Sequence, residues 1–272
     1  MRRVKRLHLN HGAYHGETVR LRPILEACED LARRVGLRVE HLPVEGGEDL
    51  LALTHAGHSA AAQSRIYLSA GIHGDEPAGV LAMEALLQDL RWCGDAALWL
   101  CPCLNPLGFG LNQRTDRLGN DLNRDYRHLK SAEVQAHVRW LERQPSFDVC
   151  LCLHEDWEAA GFYLYEVNPD GRPAYAESVI DAVRAVFPID ESDIIDGRPA
   201  RGGIIRPNVV PALRPDWPEA LYLIQHKTRL SYTLEAASDY PLAARVNALV
   251  CAVKTLVQRH CGAPVATAQS LD

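Results

Sequence analysis

Short apolar runs of strand length alternate along this chain with stripes of helical period, and that alternation restricts the fold more than any other feature. Ile24, Cys28, Leu31 and Val35 recur at helical spacing and stop at Gly36, a residue suited to a helix C-terminus. Apolar runs at 37–42, 50–54 and 66–70 follow, the last closed by Gly71. Behind Pro77 comes a second stripe, Val80, Met83, Leu87 and Leu90. The run 97–101 reads as a buried strand ended by Pro102 and the Asn105-Pro106 turn signal. Val134, Val138 and Leu141 predict another helix, and 147–153 another buried strand. Two more strands are expected at 221–224 and 230–234, and a last helix carries Val246, Leu249, Val253 and Leu256 behind Pro241. Residues 104–126 read as an ordered polar loop and 190–218 as a surface excursion. No repeat or linker interrupts the pattern. The expectation is one α/β domain over residues 1–272, a mixed sheet with helices on its faces.

The charge balance narrows the partners. A formal net charge of −6 argues against a broad nucleic-acid face, though a local basic pocket stays open. The basic start lacks the apolar core of a secretory signal, and no apolar run approaches the roughly 20 residues a bilayer requires. A cytoplasmic setting without a membrane partner is therefore expected. Eight cysteines are too sparse for a disulfide scaffold. Cys101/Cys103 and Cys150/Cys152 each share a strand face, so a four-thiolate zinc site competes with buried filler as their role.

Chemistry concentrates where strands end, which is where open α/β sheets place their sites. In Ser69-Ala-Gly-Ile-His73-Gly-Asp-Glu76-Pro, an imidazole and a carboxylate three residues apart on a glycine-flanked turn can converge on one cation. A second apolar run ends in His154. His73, Glu76 and His154 together make the two-His, one-carboxylate set that catalytic zinc favours, with a position left open. A third run ends in Glu235, and a carboxylate beside an activated water is the general base such a site needs. Between them, 105–126 supplies Arg114 and the pair Asn123-Arg124. One arginine can stabilise an oxyanion, and an Asn-Arg pair can clamp a substrate carboxylate.

The order HGDE, NPLGFGLNQR, DLNRDY, a strand-end His and TLEA, over about residues 60–240, resembles the zinc carboxypeptidase superfamily. The likeness runs to its short bacterial members and to the neighbouring succinylglutamate desuccinylase/aspartoacylase branch. It implies a phosphorylase/hydrolase-like fold with a mixed eight-stranded sheet flanked by helices. It also implies one Zn2+ per chain on His73, Glu76 and His154. By position, Arg114 would polarise the carbonyl, Asn123 and Arg124 would hold a substrate carboxylate, and Glu235 would be the base. Arg117 is the alternative to Arg114.

The resemblance implies a zinc hydrolase cutting an amide beside a free carboxylate. It would be a metallocarboxypeptidase for small peptides, those of cell-wall type included, or an N-acyl amino acid deacylase. A non-catalytic zinc-containing binding module is the alternative from another class. Tyr222 and Tyr232 stand in no context that would make either a substrate cap. Glu155, Asp156 and Glu158 read as a solvated acidic turn or as attractors of a substrate amine. Arg198, Arg201 and Arg206 are candidates to read an acyl-chain carboxylate. His8, His11 and His15 invite a second metal cluster, and His154-Glu155 a helical HExxH reading that Glu158 at the fifth position opposes.

Overall fold

The computed structural model describes residues 4–10, 14, 17–57 and 64–262. Its elements are helix α1 (Leu21–Arg34), strands β1 (Arg38–Leu42), β2 (Leu50–His55) and β3 (Arg65–Ala70), then α2 (Pro77–Leu87) and β4 (Ala97–Cys101). Helices α3 (Pro106–Leu111) and α4 (Ala132–Glu142) precede β5 (Val149–Asp156) and β6 (Tyr163–Val167). Then come α5 (Ala176–Arg184), β7 (Ile194–Ile195), β8 (Arg198–Pro199), β9 (Ile204–Ile205), α6 (Glu219–His226), β10 (Ser231–Ala237) and α7 (Leu242–His260).

Eight strands form one mixed sheet in the order β1-β2-β4-β3-β5-β10-β6-β9. At its centre β4, β3, β5 and β10 are parallel, so their carboxyl ends open on the same edge. The apolar side chains of these strands divide between two layers. Leu68, Leu151, Leu153 and Leu234 pack under α1, α2, α5 and α7, while Tyr67, Cys150 and Cys152 face α4 and α6. A sheet covered on both faces explains why its central strands read as continuous apolar runs.

Several sequence expectations are corrected. The apolar run 221–224 is not a strand but the body of α6, since a short apolar run carries no periodicity to separate the two. The supposed loop 104–126 contains α3, capped by the Asn105 side chain, and a 3₁₀ turn at Leu122–Arg124. The excursion 190–218 contributes β9 to the sheet edge. Neither β6 nor α5 is among the elements expected from the sequence. Cys101, Cys150 and Cys152 lie in one core layer and Cys103 in the other, so the four thiols do not meet. His11 and His15 lie outside the described residues. Among those described, no helix is long and apolar enough to cross a membrane.

Candidate active site

The turn after β3 begins at Gly71, whose φ of +62° is a conformation that side chains with a Cβ rarely adopt. Three residues on, Gly74 lies against α3, and a Cβ there would fall 2.0 Å from the Gly108 carbonyl carbon. That close approach seats the HGDE turn on α3. Gly74→Ala is expected to lower the free energy of unfolding by about 3 kcal/mol, read by urea denaturation, because backbone rather than a movable side chain must yield.

The turn delivers His73 and Glu76 beside His154 of β5, and potential ligand atoms of the three lie within 4.8 Å of one another. Glu76 Oε1 is 2.5 Å from His73 Nδ1, and Oε2 is 2.9 Å from His154 Nδ1. All three residues are buried. Asp121, which no sequence expectation assigns a role, faces the other ring nitrogen of His73 at 3.2 Å. Burial opposes ionisation of Asp121, but the His73 hydrogen bond and the Arg114 charge hold its carboxyl well below the usual range.

A carboxylate accepts only, so Asp121 fixes the proton of His73 on Nε2. Nδ1 of a neutral His73 is then a lone pair aimed at Glu76, acceptor against acceptor, and a cation between them resolves the conflict. The donor set thus fits a divalent metal. Without one the conflict falls to a proton. Burial lowers the proton affinity of His73, but Glu76 and Asp121 outweigh it and raise its pKa. Burial likewise opposes ionisation of Glu76, yet the two imidazoles hold its carboxyl far below the ordinary value.

Glu235 of β10 stands opposite His154 in the strand register, on the same sheet face. Burial, with repulsion from Glu76 and Asp156, pushes its carboxyl well above the carboxylate range. Arg114 donates to Glu76 Oε1 at 3.4 Å and to Asp121 Oδ2 at 3.1 Å. Asn123 spends its Oδ1 on the Glu219 N–H at 2.8 Å, leaving the amide NH₂ to offer a ligand. Arg124 donates to the Asn123 carbonyl and has no carboxylate within ion-pair distance among the described residues.

His73, Glu76, His154, Glu235, Arg114, Asn123 and Arg124 all line one cleft of about 1120 Å³. Arg117 does not line it and lies near Glu133 instead. Tyr222 packs on Tyr126, and the Tyr232 hydroxyl accepts the Tyr175 N–H, so neither reaches the cleft. The cleft wall instead carries Tyr163, which donates to Asp156 at 2.9 Å, and Tyr165. All three acids of the turn border the cleft, but the Glu155 side chain is fully buried and spent on the Ala78 N–H and Arg245. Arg198 also lines it, but Arg206 is held by Glu166 and Glu177. His154 sits on a strand, which removes the helical HExxH reading.

Residues 62–188 match the family model of the succinylglutamate desuccinylase/aspartoacylase catalytic domain. A comparison with curated protein sequences gave no match. The fold is shared with a candidate metallopeptidase from Shewanella amazonensis SB2B, at a TM-score of 0.74 and 27% identity over 87% of this chain and 91% of that one. A second from Shewanella denitrificans OS217 gives 0.74 and 24%, over 88% and 89%. A metallo-carboxypeptidase from Pseudomonas aeruginosa, in complex with (2-guanidinoethylmercapto)succinic acid, gives 0.58 and 21%, over 86% and 68%. By its fold and its matched segment, the chain is similar to the zinc carboxypeptidase-like superfamily, near the succinylglutamate desuccinylase/aspartoacylase branch.

Proposed function

We propose that the chain is one catalytic domain, a zinc-dependent hydrolase that cleaves an amide bond beside a free carboxylate in small peptides or N-acyl amino acids. The observation that carries this reading is the meeting of His73, Glu76 and His154 in a cleft that also holds Glu235 and Arg124. His73 Nδ1, the Glu76 carboxylate and His154 Nδ1 would hold the ion, and Asp121 would fix the His73 tautomer. Zinc bound there supplies Lewis acidity toward a carbonyl oxygen and toward water.

The other steps belong to the chain's own side chains. Asn123, through its NH₂, and Arg124 bind the substrate carboxylate and so fix where the scissile carbonyl lies. Glu235 takes the proton of the attacking water and later delivers it to the leaving amine. Arg114 faces negative charge as it develops on the carbonyl oxygen. A module that only bound ligand would have no use for Glu235, whose carboxyl is held in the cleft at the cost of its own ionisation.

Peptidase action is favoured over deacylation by the fold shared with a metallopeptidase over nearly the full length of both chains. The deacylase reading stands on the matched catalytic domain. Metal analysis coupled to a screen of dipeptides, cell-wall-type peptides and N-acyl amino acids tests both. Release of a C-terminal residue supports the first and release of an acyl acid the second; no turnover of either class in zinc-loaded protein sinks the proposal. Arg124→Ala is expected to raise KM for carboxylate-bearing substrates about 10- to 100-fold, the loss of one charge-assisted hydrogen bond or two. An unchanged KM would remove the clamp.

A further inference from the structure

A buried ion pair lies directly behind the metal cluster, and the proposed reaction makes no use of it. Glu155 follows His154 on β5, so strand alternation turns its side chain to the opposite face, toward α2 and α7. There Oε1 accepts the Ala78 N–H at 2.6 Å, in the first turn of α2. Oε2 accepts from Arg245 of α7 at 2.5 Å, and both side chains are fully buried. Arg245 also donates to the Tyr240 carbonyl at 2.8 Å and to Glu17. On the strand itself, the Glu155 N–H donates at 3.0 Å to Glu76 Oε2, the oxygen that also faces His154 Nδ1.

Stability alone gives no reason for this pair. Two charges removed from water lose solvation, and a well-packed apolar pair of similar volume often holds helix to sheet as well or better. What an apolar pair cannot do is bind a backbone N–H. The carboxylate of Glu155 ties down Ala78, two residues after Glu76, while its own N–H ties down Glu76. Residues 76–78 and 154–155 are thereby joined at two points, and Arg245 anchors the joint to α7.

We infer that the Glu155–Arg245 pair is a positioning device that sets the spacing of Glu76 and His154, and through it the affinity and geometry of the metal centre. The inference rests on the metal-centre reading above. Its test uses Zn2+ and Co2+ alone, without substrate, on the full chain. Glu155→Gln has one acceptor for two donors, so one tie is lost. The double variant Glu155→Gln/Arg245→Met leaves no buried charge to unfold the protein, and circular dichroism checks its fold.

In both variants the Kd for Zn2+, measured by chelator competition, is expected to rise about 10- to 100-fold, as for other groups that orient metal ligands. The visible absorption bands of the Co2+-loaded protein are expected to shift. Wild-type Zn2+ affinity together with a wild-type Co2+ spectrum in the double variant would overturn the positioning role, whatever its Tm. A wild-type protein that takes up no stoichiometric Zn2+ would instead overturn the metal-centre reading, and this role with it.

Discussion

Glu235→Gln is expected to lower kcat by about 10²- to 10⁴-fold while leaving Zn2+ binding and KM near their wild-type values, the span that a positioned general base contributes. Glutamine keeps the shape of the side chain and loses only its ability to take a proton. The register that pairs Glu235 with His154 is backbone geometry and survives the change. The same residue sets the pH dependence. Burial raises its pKa, so the base is protonated and idle at low pH. The rate should therefore rise with pH through that pKa, and a divalent charge alongside should move the rise to lower pH. Steady-state kinetics of the zinc-loaded variant decide the matter. Turnover at the wild-type rate would mean that another group carries the proton.

Loss of the metal is expected to have the other large effect. At a Zn2+ concentration about 1,000 times Kd, binding to the folded state alone stabilises it by about 4 kcal/mol. At about 2–4 °C per kcal/mol, that raises Tm by about 8–16 °C. Glu76→Gln should abolish both this shift and stoichiometric Zn2+, because Glu76 is the carboxylate between the two imidazoles. Protons compete with the ion at His73, whose pKa Glu76 and Asp121 raise against the opposing effect of burial. Zn2+ affinity should therefore weaken as pH falls below that value, by about tenfold per unit for one displaced proton. Calorimetric scans with and without Zn2+ measure both effects. A full Tm shift in the Glu76 variant would place the ion elsewhere.

Elements with long or well-bounded patterns were legible from residue spacing. The stripe behind Pro77 became α2, the run closed by Gly71 became β3, and the runs ending in His154 and Glu235 became β5 and β10. Where the reading failed, the local signal was ambiguous. Leu221–Ile224 is apolar for four residues, and only its packing onto the sheet face opposite α7 makes it a helix. β6 contributes five residues between turn-rich stretches, and its sheet neighbour β10 begins only at Ser231, 68 positions after Tyr163.

The amino-acid order by itself determined the α/β class, the motif sequence and which residue types stood at strand ends. Those properties are local, since side-chain period and turn chemistry act over a few residues. Tertiary structure decided which strand ends became neighbours: β3, β5 and β10 lie side by side and parallel, and only that order brings positions 73, 76, 154 and 235 into one cleft. It also decided that Glu155 pairs with Ala78 and Arg245 while His154 faces Glu76, that Asp121 backs His73, and that Arg206 is held by two carboxylates. Partners chosen across the chain depend on strand pairing and helix docking, and those are settled by burial of the whole core rather than by any one segment.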